Sequence, residues 1–116
     1  MKVTEIHLPV KPLSVNLAWK GKRFKSNDYK NYEKKILFML PAKLNIPDMM
    51  RIEFVFGFSS KASDLDNPVK MILDIMQKKY SFNDSSVWEM EIQKKIVPKG
   101  QEYMKINILP VLPFEL

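Results

Sequence analysis

Residues 51–79 read RIEFVFGF, then SSKASDLD, then NPVKMILDIMQKK. The three pieces carry three different patterns. From Arg51 to Phe58 the chain alternates: Ile52, Phe54, Phe56 and Phe58 project one way and Arg51, Glu53, Val55 and Gly57 the other, as in a half-buried strand. Ser59 to Asp66 is polar and reads as a loop. Asn67 followed by Pro68 then starts a helix, because a proline at the first helical position forfeits no hydrogen bond. Val69, Ile72, Leu73, Ile75 and Met76 recur at helical spacing and give that helix, which reaches about Lys79, its buried face.

Working toward the N-terminus, Val3 to Leu8 reads as a short first strand, and Pro9, Pro12 and the polar run to Lys25 as a long irregular loop. Ser26 or Asn27 can cap a helix that runs to about Leu40 and stops before Pro41. Its apolar face is Tyr29, Tyr32, Ile36 and Met39/Leu40, and residues 41–47 form a connector. Toward the C-terminus, residues 80–86 are a turn. Val87 to Val97 is a strand with Trp88, Met90 and Ile92 on one side and Glu89, Glu91 and Gln93 on the other. Lys99-Gly100 turns into a last strand, Tyr103 to Leu109, with Met104, Ile106 and Ile108 inward. The phenylalanine stripe and Trp88 are expected in the core, with the eight methionines as gap-filling packing. The order is β-α-β-α-β-β. The fold expected is α+β: one domain over residues 1–116, a two-layer sandwich of two helices on a mixed sheet.

Composition narrows the chemistry. The chain has 116 residues, no Cys and one His, so disulfides, thiolate zinc sites, Cys nucleophiles and His-rich metal sites within one subunit are excluded. Three glycines could hardly supply a Gly-rich phosphate loop, and no serine-nucleophile motif is present. No apolar run approaches the ~20 residues of a membrane span, and no signal-peptide block follows Met1-Lys2. Nineteen Lys+Arg against thirteen Asp+Glu leave a net charge of +6. Lys20, Lys22, Arg23, Lys25, Lys30, Lys34 and Lys35 stand against only Asp28 and Glu33, seven bases against two acids, so +5 of that charge falls in residues 20–35. Interleaved with Phe24, Tyr29 and Tyr32, this stretch suits a nucleic-acid backbone, although charged helix faces are commonly just solvated. His7 has no motif around it and is expected to be structural.

The segment Ser63-Asp64-Leu65-Asp66-Asn67-Pro68-Val69-Lys70 is the one that could carry a reaction. Asp64 and Asp66 stand two apart, and in an extended loop both can face one cation. A third acid, Asp84, follows the helix. Hard divalent ions take oxygen ligands from few carboxylates plus water and phosphate, and can polarise a phosphodiester. A plainer reading stays open for each residue. Asp-x-Asp before a helix can be only a cap, and Asp84 only a turn residue. Lys70 opposes the helix dipole, so it is either tolerated by pairing with Asp74 or present to meet a phosphate.

Asp64-Leu65-Asp66-Asn67, Lys70, the amphipathic helix through Met76 and Asp84 resemble the corresponding run of the RusA family of Holliday-junction resolvases. Two looser matches are Leu8-Pro9-Val10-Lys11-Pro12-Leu13-Ser14-Val15-Asn16, similar to the family's Pro-rich entry loop, and Lys22-Arg23-Phe24-Lys25-Ser26, similar to its basic stretch. The resemblance implies a homodimer in the cytoplasm of a bacterial or phage-infected cell, binding four-way DNA junctions and making paired cuts with Mg²⁺ or Mn²⁺. It assigns Asp64, Asp66 and Asp84 as metal-site acids and Lys70 as an essential base near the scissile phosphate. Lys20, Lys22, Arg23, Lys25, Lys61 and Lys70 are then the residues expected to touch DNA. Where a basic residue often precedes the first acid, this chain has Ser63, with Lys61 two further back; where the family pairs acids before the next strand, it has Asn83-Asp84.

A helix over residues 68–79 spans ~18 Å. Asp84 can therefore lie far from Asp66 in the same subunit, and it either doubles back or completes the partner's site. The alternative function is a non-catalytic module binding branched or single-stranded DNA, the acids being caps.

Overall fold

The computed structural model describes residues 4–12, 27–63 and 65–111, and residues 19–20 and 24–25 by their backbone. Alternation and helical spacing produce the elements they predict. Strands β1 (Thr4–Leu8), β4 (Met50–Phe58), β5 (Val87–Ile96) and β6 (Tyr103–Pro110) form one sheet in the order β1-β6-β4-β5. Helices α1 (Asn27–Met39) and α2 (Asn67–Tyr80) complete a single α+β unit. Within the stretch expected to be an irregular loop, two short strands, β2 (Trp19–Lys20) and β3 (Phe24–Lys25), pair as a small antiparallel ribbon. Ser26, offered as a cap of α1, lies outside the described residues. No helix among the described residues is long and apolar enough to cross a membrane.

The sheet is mixed. β6 runs antiparallel to both neighbours, with Ile106 opposite Ile6 of β1 and Phe54 of β4. β4 and β5 are parallel, Phe54 beside Ile92, and α2 is the crossover between them. The even-numbered residues of β4 and β6 point into the core: Met50, Ile52, Phe54, Phe56, Met104, Ile106 and Ile108 are all buried. Ile36 of α1, Leu40 just after it, and Ile72, Ile75 and Met76 of α2 pack against them in one cluster. Four of the methionines, Met50, Met71, Met76 and Met104, are buried.

The two helices are also tied by polar contacts. The Lys79 ammonium donates to the carbonyls of Leu37 and Leu40, closing the C-terminal end of α1, which has no basic residue of its own in its last turn. Tyr80 Oη donates to the Pro41 carbonyl at 2.6 Å, and burial pushes its pKa up to about 12. Lys78 pairs with Glu33 of α1 at 2.7 Å.

The opposite face of the sheet is polar. Arg51 sits among Glu53 (3.1 Å), Glu89 (3.7 Å) and Glu91 (3.7 Å). The Tyr103 ring lies across Gly57, where a Cβ would stand 2.5 Å from ring carbons, so this strand position accepts no side chain unless the ring moves. His7 stacks on that ring at 5.5 Å, in keeping with a structural role.

A further expectation fails at the edge of the sheet. Trp88, expected in the core, is 55% exposed, and Met90 and Ile96 on the same side of β5 are 38% and 46% exposed. β5 is the edge of the sheet beyond β4, and α2 does not reach over it.

Candidate active site

The β4–α2–β5 crossover sets the site. β4 ends at Phe58, and the loop 59–66 begins there. Ser60 shapes it: its carbonyl accepts from Ser63 N–H (3.3 Å) and its hydroxyl oxygen from Ala62 N–H (3.2 Å). A longer-range contact fixes the loop to the neighbouring edge strand. Lys94 of β5 donates to the carbonyls of Lys61 (2.9 Å) and Ser63 (2.8 Å). Asp64 follows directly and lies outside the described residues.

Asp66 precedes the first helical residue but does not cap α2. Its backbone is already helical (φ −93°, ψ −12°), and its side chain makes no capping hydrogen bond; only its carbonyl is engaged, by Val69 N–H at 3.1 Å. A cap normally needs an extended residue to swing its oxygen over the first N–H groups. The Asp66 carboxylate is therefore left exposed at a helix N-terminus. Pro68 sits in the first turn, as expected from the sequence.

Lys70 stands one turn further, exposed, with no ion pair to Asp74. At the other end of α2, Ser81 closes the helix in the left-handed conformation (φ 56°) with its N–H on the Gln77 carbonyl. A single 3-10 turn, Asp84–Ser86, then leads into β5. Asn83 does the turn's work here, its side chain accepting from Ser85 N–H at 3.0 Å. The Asp84 carboxylate is exposed and has no described partner.

These residues share one cleft. A cavity of about 360 Å³ between α2 and β5 is lined by Asp66, Val69, Lys70, Leu73, Asp74, Gln77, Asp84 and Ile92. Asp66, Lys70 and Asp74 follow one another at four-residue intervals, so a single stripe of α2 forms one wall. Val69, Leu73 and Ile92 make an apolar floor. Of the residues predicted from sequence, Asp66, Lys70 and Asp84 are brought to this cleft. Lys61 is exposed in the turn ahead of it. Lys22 and Arg23 lie outside the described residues, and Lys20 and Lys25 are described only as the backbone of β2 and β3.

Sharing a cleft is not the same as meeting. Asp66 lies at the end of the sheet where β4 finishes. Asp84 lies three residues before Val87, which pairs with Met50 at the opposite end. The wall from Asp66 to Gln77 alone is roughly 16 Å long at the helical rise. Among the described residues, which leave out Asp64, no three His, Cys, Asp or Glu side chains gather closely enough to hold one ion.

Sequence reasoning missed Asp74, Gln77 and Lys94. The four-residue interval from Asp66 through Lys70 to Asp74 was an available signal. Lys94 left none, because its partners are more than 30 residues away in the chain.

A comparison with curated proteins gives no match. The family model for endodeoxyribonuclease RusA matches residues 9–108, nearly the whole chain and all of the cleft. The chain belongs to the RusA endodeoxyribonuclease family, DNA-binding endonucleases that resolve Holliday junctions in recombination.

Proposed function

We propose that this protein is a homodimeric, Mg²⁺-dependent endodeoxyribonuclease that resolves four-way junctions by paired cuts, one from each of two equivalent sites. The observation that carries the reading is that Asp66, Lys70 and Asp84 line one cleft while none is engaged as a cap, a turn bond or an ion pair with another described residue. Exposed charges without a structural task, held on the two sides of one groove, suit a ligand from outside. The reading of the acids as caps, on which a purely DNA-binding module would rest, has no support from Asp66 or Asp84.

The donor set suits a hard divalent ion, since every candidate is a carboxylate oxygen. Asp64, Asp66 and Asp84 would hold Mg²⁺, with Mn²⁺ as a substitute. When bound, it would supply Lewis-acid polarisation of a phosphodiester. Lys70 would stabilise the negative charge that builds on the phosphate in attack. Lys20, Lys22, Arg23, Lys25 and Lys61 would grip the backbone, with affinity falling steeply as salt rises. Such a substrate places the protein in the cytoplasm of a bacterial or phage-infected cell.

A second copy answers the separation of Asp66 and Asp84. β5 is a ten-residue open edge with Trp88, Met90 and Ile96 exposed along it, the kind of edge that recruits another strand. Antiparallel pairing of two β5 edges about a two-fold axis at Ile92 sets Trp88 against Ile96 of the partner subunit. It also sets Glu89 against Lys95 of the partner subunit, and Glu91 against Gln93 of the partner subunit. The same operation carries the 3-10 turn with Asp84 toward the partner's 59–66 loop. Each site would then take Asp64, Asp66 and Lys70 from one chain and Asp84 from the other, and two-fold symmetry matches a substrate with two equivalent strands.

Asp66→Asn tests the assignment. A labelled synthetic four-way junction with Mg²⁺ should no longer be cut, while gel-shift binding in Ca²⁺ persists; unchanged cleavage refutes it.

A further inference from the structure

We infer that the solvent face of α1, built on Lys30, Lys34 and Phe38, binds DNA that carries an unpaired base: the two lysines meet backbone phosphates, and the Phe38 ring takes the face of the base. The three residues follow one another at four-residue intervals and form one stripe of the helix, advancing about 6 Å per step. All three are exposed. Phe38 is exposed to 89%, more than any other large apolar side chain among the described residues, Trp88 included. Its ring stacks on no described aromatic side chain. The core is closed by the other side of the helix, through Ile36 and the following Leu40, so packing does not account for an aromatic ring at this position.

The charge of this face is unopposed. Among the described side chains of α1, Glu33 is the one acid, and it is taken up by the Lys78 ammonium of α2 (2.7 Å) and the Tyr29 hydroxyl (3.2 Å). Lys30 and Lys34 have no ion pair with a described residue and repel each other at helical spacing. A polyanion relieves that repulsion, and DNA is the polyanion this family binds. The ring narrows the choice further. In a duplex both faces of a base are already stacked, whereas an unpaired base has a face to offer an aromatic side chain. A second copy paired through β5 does not cover the stripe. α1 meets α2 through Lys78 and Lys79, while Val69, Leu73 and Gln77 line the side of α2 toward β5, so α2 stands between α1 and that edge. The surface is therefore separate from the cleft and from the strand edge, and it does not depend on which residues cut.

The experiment titrates the full-length chain in EDTA, by fluorescence anisotropy, against a perfect duplex and against the same duplex interrupted by a single-stranded gap of thymidines. Phe38→Ala should weaken binding of the gapped DNA by about 5-fold or more, leave duplex binding unchanged, and leave far-UV circular dichroism unchanged because the ring is exposed. Phe38→Trp should restore the preference for the gap. Lys30→Ala combined with Lys34→Ala should weaken binding of both probes. On a single strand it should flatten the slope of log affinity against log salt by roughly 1.4, the share of two phosphate contacts. With iododeoxyuridine in the gap, irradiation should cross-link the DNA to the peptide that carries Phe38, read by mass spectrometry. Wild-type binding of gapped DNA by Phe38→Ala, or an equal loss on duplex and gapped DNA, overturns the inference. A shift in the sedimentation of the free protein on Phe38→Ala makes the face an interface between copies and overturns it as well. Cleavage enters none of these readouts, so failure here and failure of the proposed function remain distinguishable.

Discussion

Lys70 works against the helix that carries it. A cation in the first turn faces the positive end of the dipole, at a cost of ~0.3–1 kcal/mol, and the Asp74 pair that could have offset it does not form. Lys70→Met should therefore make the protein more stable by up to ~1 kcal/mol in urea denaturation. The same variant should cut junctions about 10²- to 10³-fold more slowly at saturating Mg²⁺, as when one charge-stabilising donor is removed. A destabilised variant with normal cleavage would return Lys70 to the surface. At this scale the spacing of Asp64, Asp66, Lys70 and Asp84 was legible in the sequence, but the freedom of the carboxylates was not. Asp66 is free because its backbone is already helical, and Asp84 is free because Asn83 takes the turn bond. Neither dihedral angles nor the division of labour between neighbours can be read from residue types that suit both tasks.

β5 shows where alternation stops informing. Trp88, Met90 and Ile92 share a face in the sequence and in the sheet, yet only Ile92 gains substantial cover. Period two tells which residues point together; whether a helix lies over them depends on how far the layer extends, and α2 leaves its cleft short of the edge. The strands of the interior were legible because Ile52, Phe54 and Phe56 in β4 and Ile106 in β6 are covered by the helices. The edge was misread because no helix of the chain covers its apolar residues. Trp88→Lys tests that surface without touching the cleft. At 55% exposure the side chain contributes little to the monomer's core, so far-UV circular dichroism should be unchanged. Sedimentation should show the dimer weakened by about 2 kcal/mol for each of the two equivalent contacts, and cleavage should fall with it. Adding Ile96→Glu places opposite charges across the two-fold axis in the register centred on Ile92, and should recover dimer and cleavage together. A dimer that Trp88→Lys leaves intact would move the interface elsewhere.

For the whole molecule, the order β1-β6-β4-β5 is the feature least open to sequence reading. The tight turn at Lys99-Gly100, where Gly100 takes φ 94°, brings β5 sharply back toward β6, but the sheet places β4 between them. That long-range choice puts β5 at the edge and parallel to β4, and so sends Asp66 and Asp84 to opposite ends of α2. Helix length alone already pointed to the separation, because ~1.5 Å per residue cannot be folded away within one helix. The consequence can be tested by mixing subunits. Asp66→Asn and Asp84→Asn chains should each be inactive as homodimers. If sites form across the two-fold axis, a heterodimer of the two pairs the surviving Asp66 of one chain with the surviving Asp84 of the other at one site. Both substitutions then fall in the second site. One strand of the junction should be nicked and the other left whole. If each site is built within one chain, both sites of the heterodimer carry a substitution and mixing restores nothing. Co-expression with two affinity tags isolates the heterodimer, and denaturing gels distinguish a single nick from paired cuts. Nicking by the mixed species alone assigns Asp84 to the partner's site, and with it explains why a chain with free acids at both ends of one helix needs a second copy to act.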